Sequence, residues 1–283
     1  MHIILLLLAT LLVACSSEDP DVATTFQIVK PSWSVFLSLG QSNCKGSSLP
    51  ATADTTWQTH SAAAVKNLQD PQTDWYLCSD VAGDAAVAWR TARPGVTWGP
   101  ELTFGRVLSD YRRRVAIIKF AVGGCGTDCW VNDVPNRYDQ ALAYAETQMG
   151  LLAAVLPGET LVYTGVLWTI GESDADDATQ AAAAGGVLTD MQAAFRTDLS
   201  APNLSMIVPL LHSGTNLPHR AAFNSSVATA VAAEVTAGRR AATISLEHMS
   251  AADFLLVDEI HHEPAGSEEI GRLAAMQQIA WGL

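Results

Sequence analysis

Ser42 lies in the turn Gly40-Gln41-Ser42-Asn43, directly after the apolar run Ser34-Val35-Phe36-Leu37-Ser38-Leu39. Far downstream, Asp258-Glu259-Ile260-His261 sets a carboxylate and an imidazole three residues apart. A neutral serine hydroxyl is a weak nucleophile and needs an imidazole within hydrogen-bond reach to take its proton. The imidazole in turn needs a carboxylate to fix its tautomer and stabilise its cation. Asp258 and His261 meet both needs from one turn of chain. Together these residue types point to acyl transfer through a covalent serine intermediate.

Four further stretches stand in order between and beside them. They are Trp98-Gly99-Pro100-Glu101-Leu102, Ala121-Val122-Gly123-Gly124, Trp168 with Gly171-Glu172-Ser173-Asp174, and Gly266 after the Asp-x-x-His pair. With the Gly-Gln-Ser-Asn turn, these segments resemble the SGNH (GDSL-like) hydrolase superfamily, and within it the sialate O-acetylesterase-like carbohydrate acetylesterases. The resemblance spans roughly residues 33 to 280. It implies Ser42 as nucleophile, His261 as base and Asp258 as the acid that orients it. It also implies an oxyanion hole built from the backbone N–H groups of Ser42 and Gly124, with Gln41, Asn43 and Glu172 lining the substrate site. The implied substrate is an acetylated carbohydrate, with no cofactor and no metal. One position departs from the family pattern: Ile170 stands where glutamine usually precedes Gly-Glu. An apolar side chain donates no hydrogen bond, and loss of one oxyanion donor costs about two to three powers of ten in rate. Either Asn43 or a backbone group compensates, or the enzyme is slow.

Other readings compete for individual residues. Gly171-Glu172-Ser173-Asp174-Ala175 approaches the Gly-x-Ser-x-Gly elbow of α/β-hydrolases, which would make Ser173 the nucleophile, although the last glycine is missing. His262 adjoins His261 and is a second candidate base. Glu172 and Asp174 either shape the pocket or cap a helix start, where acids are favourable. His212 and His219 read as loop residues after a strand. A surface protein that binds acetylated glycans without turning them over is a further alternative, favoured by Ile170.

These residues need a frame to hold them. Apolar, β-branched runs alternate with Ala-rich segments, the pattern of a parallel sheet covered by helices on both faces. Strands are expected at Ser34 to Leu39, Val115 to Phe120, Leu161 to Trp168, Met206 to Leu211 and Ala242 to Leu246. Helices are expected at Leu102 to Tyr111, Tyr138 to Leu156, Thr179 to Asp198, Ala221 to Ala237 and Ser267 to Trp281. The fold class is therefore α/β, a three-layer sandwich around a sheet of about five parallel strands, and flavodoxin-like by the resemblance. In such sheets ligands sit beyond the carboxyl ends of the strands. Ser42, Gly123-Gly124 and Gly171-Glu172 all follow expected strands. The segment Lys45 to Arg93 shows no periodicity and reads as a long functional loop, with Trp57, Trp75, Tyr76 and Trp89 to pin it or to stack on sugars.

Residues Ile3 to Ala14 are apolar, too short to span a bilayer, and end in Leu12-Val13-Ala14-Cys15, which resembles a bacterial lipobox. The division expected is a leader at residues 1–15 with lipidation at Cys15, a polar tether at 16–30 and the catalytic domain at 31–283. That makes an exported envelope lipoprotein, with free secretion as the alternative. Hydrophobic residues are 49% of the chain, enough for a sizeable core, and the net charge of −13 argues against nucleic acid. The lone basic run, Arg112-Arg113-Arg114, reads as a solvated helix end. Cys44, Cys78, Cys125 and Cys129 allow three pairings, and sequence does not choose among them. Cys125 with Cys129 and Cys44 with Cys78 is the expected pairing; free thiols and a zinc site are the alternatives.

Overall fold

Strands buried on both faces are apolar along most of their length, and such segments form the middle of a six-stranded sheet. Its strands are β1 (Trp33–Gly40), β2 (Trp75–Val81), β3 (Val115–Ala121), β4 (Leu161–Thr169), β5 (Ser205–Pro209) and β6 (Ala241–Ile244). In this computed structural model the described residues are 32–46, 75–81, 99–112, 114–132, 136–256 and 258–282, with backbone alone for 75–81. The leader, the tether, Cys15, Trp57, His60, Trp89 and Trp98 lie outside them, as do the side chains of Trp75, Tyr76 and Cys78.

The sheet order is β2-β3-β1-β4-β5-β6, and every pairing is parallel. All five expected strands form, and β2 adds a sixth at the edge, inside the stretch expected to be a loop. Its sequence, Trp75-Tyr76-Leu77-Cys78-Ser79-Asp80-Val81, mixes polar with apolar residues, which an edge strand pairing on one side tolerates. The helices are α1 (Ser42–Lys45), α2 (Glu101–Arg112), α3 (Thr127–Asn132), α4 (Arg137–Val155), α5 (Ala178–Asp198), α6 (Arg220–Thr236), α7 (Ala251–Phe254) and α8 (Pro264–Ala280). The five long helices expected from the sequence are α2, α4, α5, α6 and α8.

Alternation along each strand divides the core into two layers. Val35, Leu37 and Leu39 of β1 and Ala116, Ile118 and Phe120 of β3 join Ala141, Leu188, Phe195 and Phe223 on the face covered by α4, α5 and α6. Phe36, Val115 and Ile117 point the other way, onto Phe104, Leu108 and Ile270 of α2 and α8. Ile170 belongs to the first layer, buried directly after β4. Asn136 caps α4 through Asp139 N at 2.7 Å, and Asp177 caps α5 through Thr179 N at 2.8 Å and Gln180 N at 2.9 Å.

Gly40 ends β1 because nothing larger fits: a Cβ there would lie 1.9 Å from Thr169 O. Gly40 pairs with Ala121 of β3 and with Thr169 of β4, so three strand ends finish level on one rim. The path from β3 to β4 steps over β1, making this rim the topological switch point, the place where ligands bind in sheets of this kind.

A buried ion pair sits beneath that rim. Lys119 Nζ on β3 is 2.7 Å from Glu101 Oε1, and both side chains are 1% exposed. Lys119 also donates to Lys45 O at the end of α1, while Glu101 Oε1 accepts Gly99 N at 3.0 Å. Cys44 packs into the same pocket, 3.5 Å from Ser38 Oγ, and is a free thiol, so the Cys44 with Cys78 pairing does not form. The short helix α1 turns Cys44 down onto β1, and burial pushes its thiol up to about 12. Cys125 and Cys129 do form a disulfide, with Cα atoms 5.5 Å apart across the start of α3. The basic run ends α2 at Arg112, and Arg114 pairs with Glu159 at 2.5 Å.

Candidate active site

Three loops leave the level strand ends and are tied together by buried carboxylates. The first carries Gln41-Ser42-Asn43, with Ser42 half-buried as the first residue of α1. Its backbone N–H belongs to the first turn of a helix, which has no intrahelical acceptor for it.

The second loop follows β4. Gly171 has a φ of 131°, and a Cβ there would lie 2.2 Å from the Phe223 ring, so the chain turns tightly against α6. That turn aims Glu172 back under α1. Glu172 is 5% exposed, and its Oε2 accepts Gln41 Nε2 while its Oε1 accepts Asn43 Nδ2. Burial pushes the Glu172 carboxyl up, and the Asn43 hydrogen bond works against that rise. Both neighbours of Ser42 are therefore anchored to one carboxylate 130 residues away in sequence (172 minus 42).

Two residues further on, Asp174 is fully buried, and its Oδ1 accepts Thr127 N at 2.8 Å and Thr127 Oγ1 at 2.5 Å. Thr127 starts α3, just after the third loop, Val122-Gly123-Gly124-Cys125-Gly126. Val122 N donates to Gly40 O at 3.0 Å, and Cys125 N to Val122 O at 3.3 Å. Gly123 and Gly124 are exposed beside the Ser42 turn, with open space where side chains would stand. Asp174 and the Cys125 to Cys129 disulfide fasten the far side of this loop.

Asp258 and His261 come from a tight turn between α7 and α8. Leu255 and His262 form an antiparallel bridge, and Leu256 N donates to His261 O at 2.7 Å. Asp258 Oδ1 accepts Ile260 N at 3.0 Å and His261 N at 2.9 Å, and its Oδ2 accepts His261 Nδ1 at 2.6 Å. Burial works to raise the Asp258 carboxyl, but the hydrogen bonds from the His261 ring and from the two backbone groups outweigh it and hold it at about 2. Asp258 is therefore an anion over any ordinary working range, oriented by its own turn.

Asn43 closes the distance between the halves. Its Oδ1 accepts His262 N at 2.9 Å and its Nδ2 donates to Ile260 O at 3.2 Å. The residue after Ser42 thus grips both residues that flank His261.

The two histidines differ sharply. The His261 side chain is 26% exposed, whereas His262 is 6% exposed and packs on Phe254 with ring centroids 4.5 Å apart. His262 Nε2 lies 4.0 Å from Glu172 Oε1, and its Nδ1 has no partner. Ser173 has an ordinary right-handed backbone (φ −70°, ψ −34°) at the start of a 3-10 turn over Asp174–Asp176, unlike a strained nucleophile elbow. His212 is buried against Phe254 and bonds to Met249 O at 3.1 Å, and His219 N donates to Ala175 O at 2.9 Å. His248 pairs with Glu269 at 2.9 Å. Gln41, Asn43 and Glu172, expected at the substrate, spend their polar groups mainly on one another and on the His261 turn. The link from Asp174 to Thr127 has no signal in the sequence beyond an acid following a strand.

The sheet topology and the two helical layers give an α/β fold of SGNH-hydrolase type, and the family match makes the protein a carboxylic ester hydrolase. The family model described as carbohydrate esterase, sialic acid-specific acetylesterase matches residues 32–280, and the chain belongs to that family. Among solved structures, a protein from Arabidopsis thaliana aligns with a TM-score of 0.61 at 17% identity, covering 88% of this chain and 99% of that one. A carbohydrate acetylesterase from Xanthomonas citri aligns with a TM-score of 0.59 at 16% identity, covering 88% of this chain and 57% of that one. NanS aligns with a TM-score of 0.56 at 14% identity, covering 90% of this chain and 99% of that one. These likenesses show a shared fold. Comparison with curated protein sequences finds no match.

Two outcomes follow from this geometry. Glu172→Ala releases both neighbours of Ser42, and displacement of a reacting group by about 1 Å costs about a hundredfold in rate. Esterase assays should show a drop of about that size in kcat with KM little changed; an unchanged kcat in a folded variant would contradict the anchoring role. The second concerns acid. Burial, with His261 and His212 nearby, holds the His262 imidazole down at about 3 against an ordinary 6.5. The unfolded chain takes up that proton below about pH 6.5 while the folded chain refuses it, so stability falls as pH drops through this window and rises again with pH. Urea midpoints of His262→Phe should therefore vary less between about pH 6.5 and 4 than those of the unmutated protein.

Proposed function

We propose that this protein removes acetyl groups from a carbohydrate through an acetyl-enzyme on Ser42, with His261 as base and Asp258 as the acid orienting it. The observation that carries this reading is the Asn43 clasp. It joins the Ser42 turn to the backbone on either side of His261, at 2.9 Å and 3.2 Å. No comparable link ties Ser173 to the Asp258 turn among the described residues.

In the first half-reaction Ser42 Oγ attacks the acetyl carbonyl carbon while His261 takes the hydroxyl proton. The carbonyl π electrons move onto oxygen, and the N–H groups of Ser42 and Gly124 receive that oxyanion. Its collapse breaks the bond to the sugar oxygen, which leaves with the proton from His261. In the second half-reaction water attacks the acetyl-serine, His261 takes the water proton and returns it to Ser42, and acetate departs. Asp258, held ionised by its turn, stabilises the imidazolium in both halves.

Ile170 is packed in the core, so the donors in this reading are backbone groups. The substrate class rests on family membership and agrees with the Xanthomonas citri neighbour, itself titled a carbohydrate acetylesterase. Export with lipidation at Cys15 completes the proposal and is supported by Leu12-Val13-Ala14-Cys15.

Acetate release from p-nitrophenyl acetate, acetylated xylan and O-acetylated sialic acid tests the site. Ser42→Ala should lower the rate at least about a thousandfold, while Ser173→Ala keeps it. Loss in Ser173→Ala alone would move the nucleophile, and retention of acetylated sugar without turnover by the unmutated protein would favour a binding module. Metabolic labelling with palmitate should mark the full-length chain and fail with Cys15→Ala; equal labelling of both would remove the lipid anchor from the proposal.

A further inference from the structure

A polar cavity opens at the other end of the sheet. Because all six strands are parallel, residues just before β5 and β6 lie on the rim opposite Ser42, Gly124 and Glu172. A cavity of about 250 Å³ is lined there by Arg196, Asn203, Leu204, Gly238, Arg239 and Arg240. Arg196, in the last turn of α5, is 8% exposed. Its Nε donates to Leu204 O at 3.1 Å and its Nη1 to Glu234 Oε2 at 2.6 Å, while its Nη2 is buried without a partner. Arg239 Nη1 takes the other oxygen of Glu234 at 2.5 Å. One carboxylate with both oxygens engaged therefore answers two guanidinium groups, and Arg240 lines the same cavity, in a chain whose net charge is −13.

A buried donor left unmade costs free energy, and an excess of guanidinium charge around a small cavity is relieved by an oxyanion. Arg196 is already held by two hydrogen bonds, so little side-chain freedom is lost when a ligand arrives. We propose that this cavity binds an oxyanion, either the carboxylate of an acidic sugar or inorganic phosphate, at a site separate from the esterase centre. It would give a glycan-processing enzyme a second grip on a charged chain, or a site for a free anion.

Calorimetric titration of the full chain at low salt, with inorganic phosphate and with glucuronate in separate runs, tests this. Each binding anion should show one saturable site that weakens as salt is added. Arg239→Gln with Arg240→Gln leaves the Arg196 to Glu234 pair intact and should weaken binding about tenfold or more. Arg272→Gln on α8, away from the cavity, should bind as the unmutated protein does. Glucuronate binding identifies an acidic sugar as ligand, and phosphate binding alone identifies a free ion. The proposal is overturned if neither anion saturates, or if the double variant binds as tightly as the unmutated chain. None of these readouts depends on ester hydrolysis, so failure of the esterase reading would leave them standing.

Discussion

The rim that carries Ser42 depends on one buried carboxyl group. Burying a carboxyl group costs free energy unless its oxygens are hydrogen-bonded, so Glu172 is tolerable only while donors surround it. Gln41 and Asn43 supply them, and those residues bracket Ser42. The same need for hydrogen bonds that makes the buried carboxyl group bearable thereby fixes the position of the serine turn. Asn43 carries the constraint further, because the rest of its amide is committed to the backbone around His261. A single desolvated group thus couples three segments that hydrophobic packing alone would leave free to slide.

The same device recurs around the rim. Asp174 fastens the loop bearing Gly123 and Gly124 through Thr127, and Glu101 with Lys119 holds the far end of α1 through Lys45 O. Apolar contacts are non-directional and tolerate shifts of a few tenths of an ångström, whereas a hydrogen bond to a carboxylate loses strength steeply as its angle opens. The layers packed on the sheet supply the stability of the frame. The buried acids set the directions in which its loops point.

How much of this is legible in sequence follows from range. The strands β1, β3, β4, β5 and β6 show as apolar or β-branched runs, a local demand of packing in the sheet, and α4, α5, α6 and α8 show through Ala-rich composition. Edge strand β2 is hidden because its sequence mixes polar with apolar residues, Ser79 and Asp80 among them. Helices α1, α3 and α7 are too short to display a period. Counting cysteines suggests two disulfides, but Cys44 lies in the Lys119 pocket where a thiol is buried, and parity cannot see that. Ile170 follows the strand alternation into the core, a position that a motif comparison reads as part of the site. Glu172 stands out in the motif, yet its partners are 131 and 129 residues away, so its role appears only once the chain is folded.

The Asp258 to His261 pair is the converse case, and its exposure explains why it could be read from four residues. Its orientation is settled within the turn: Glu259 takes a positive φ of 57°, Asp258 Oδ1 accepts two backbone N–H groups, and Oδ2 is left to the imidazole. With 45% of the Asp258 side chain exposed, water screens the pair and its attraction adds little to folding. What matters is direction, and direction here is local. One long-range contact, from Asn43, is then enough to hold a self-organised carboxylate and imidazole turn against the Ser42 loop, whereas a pair drawn from two separate elements would need each to be placed on its own.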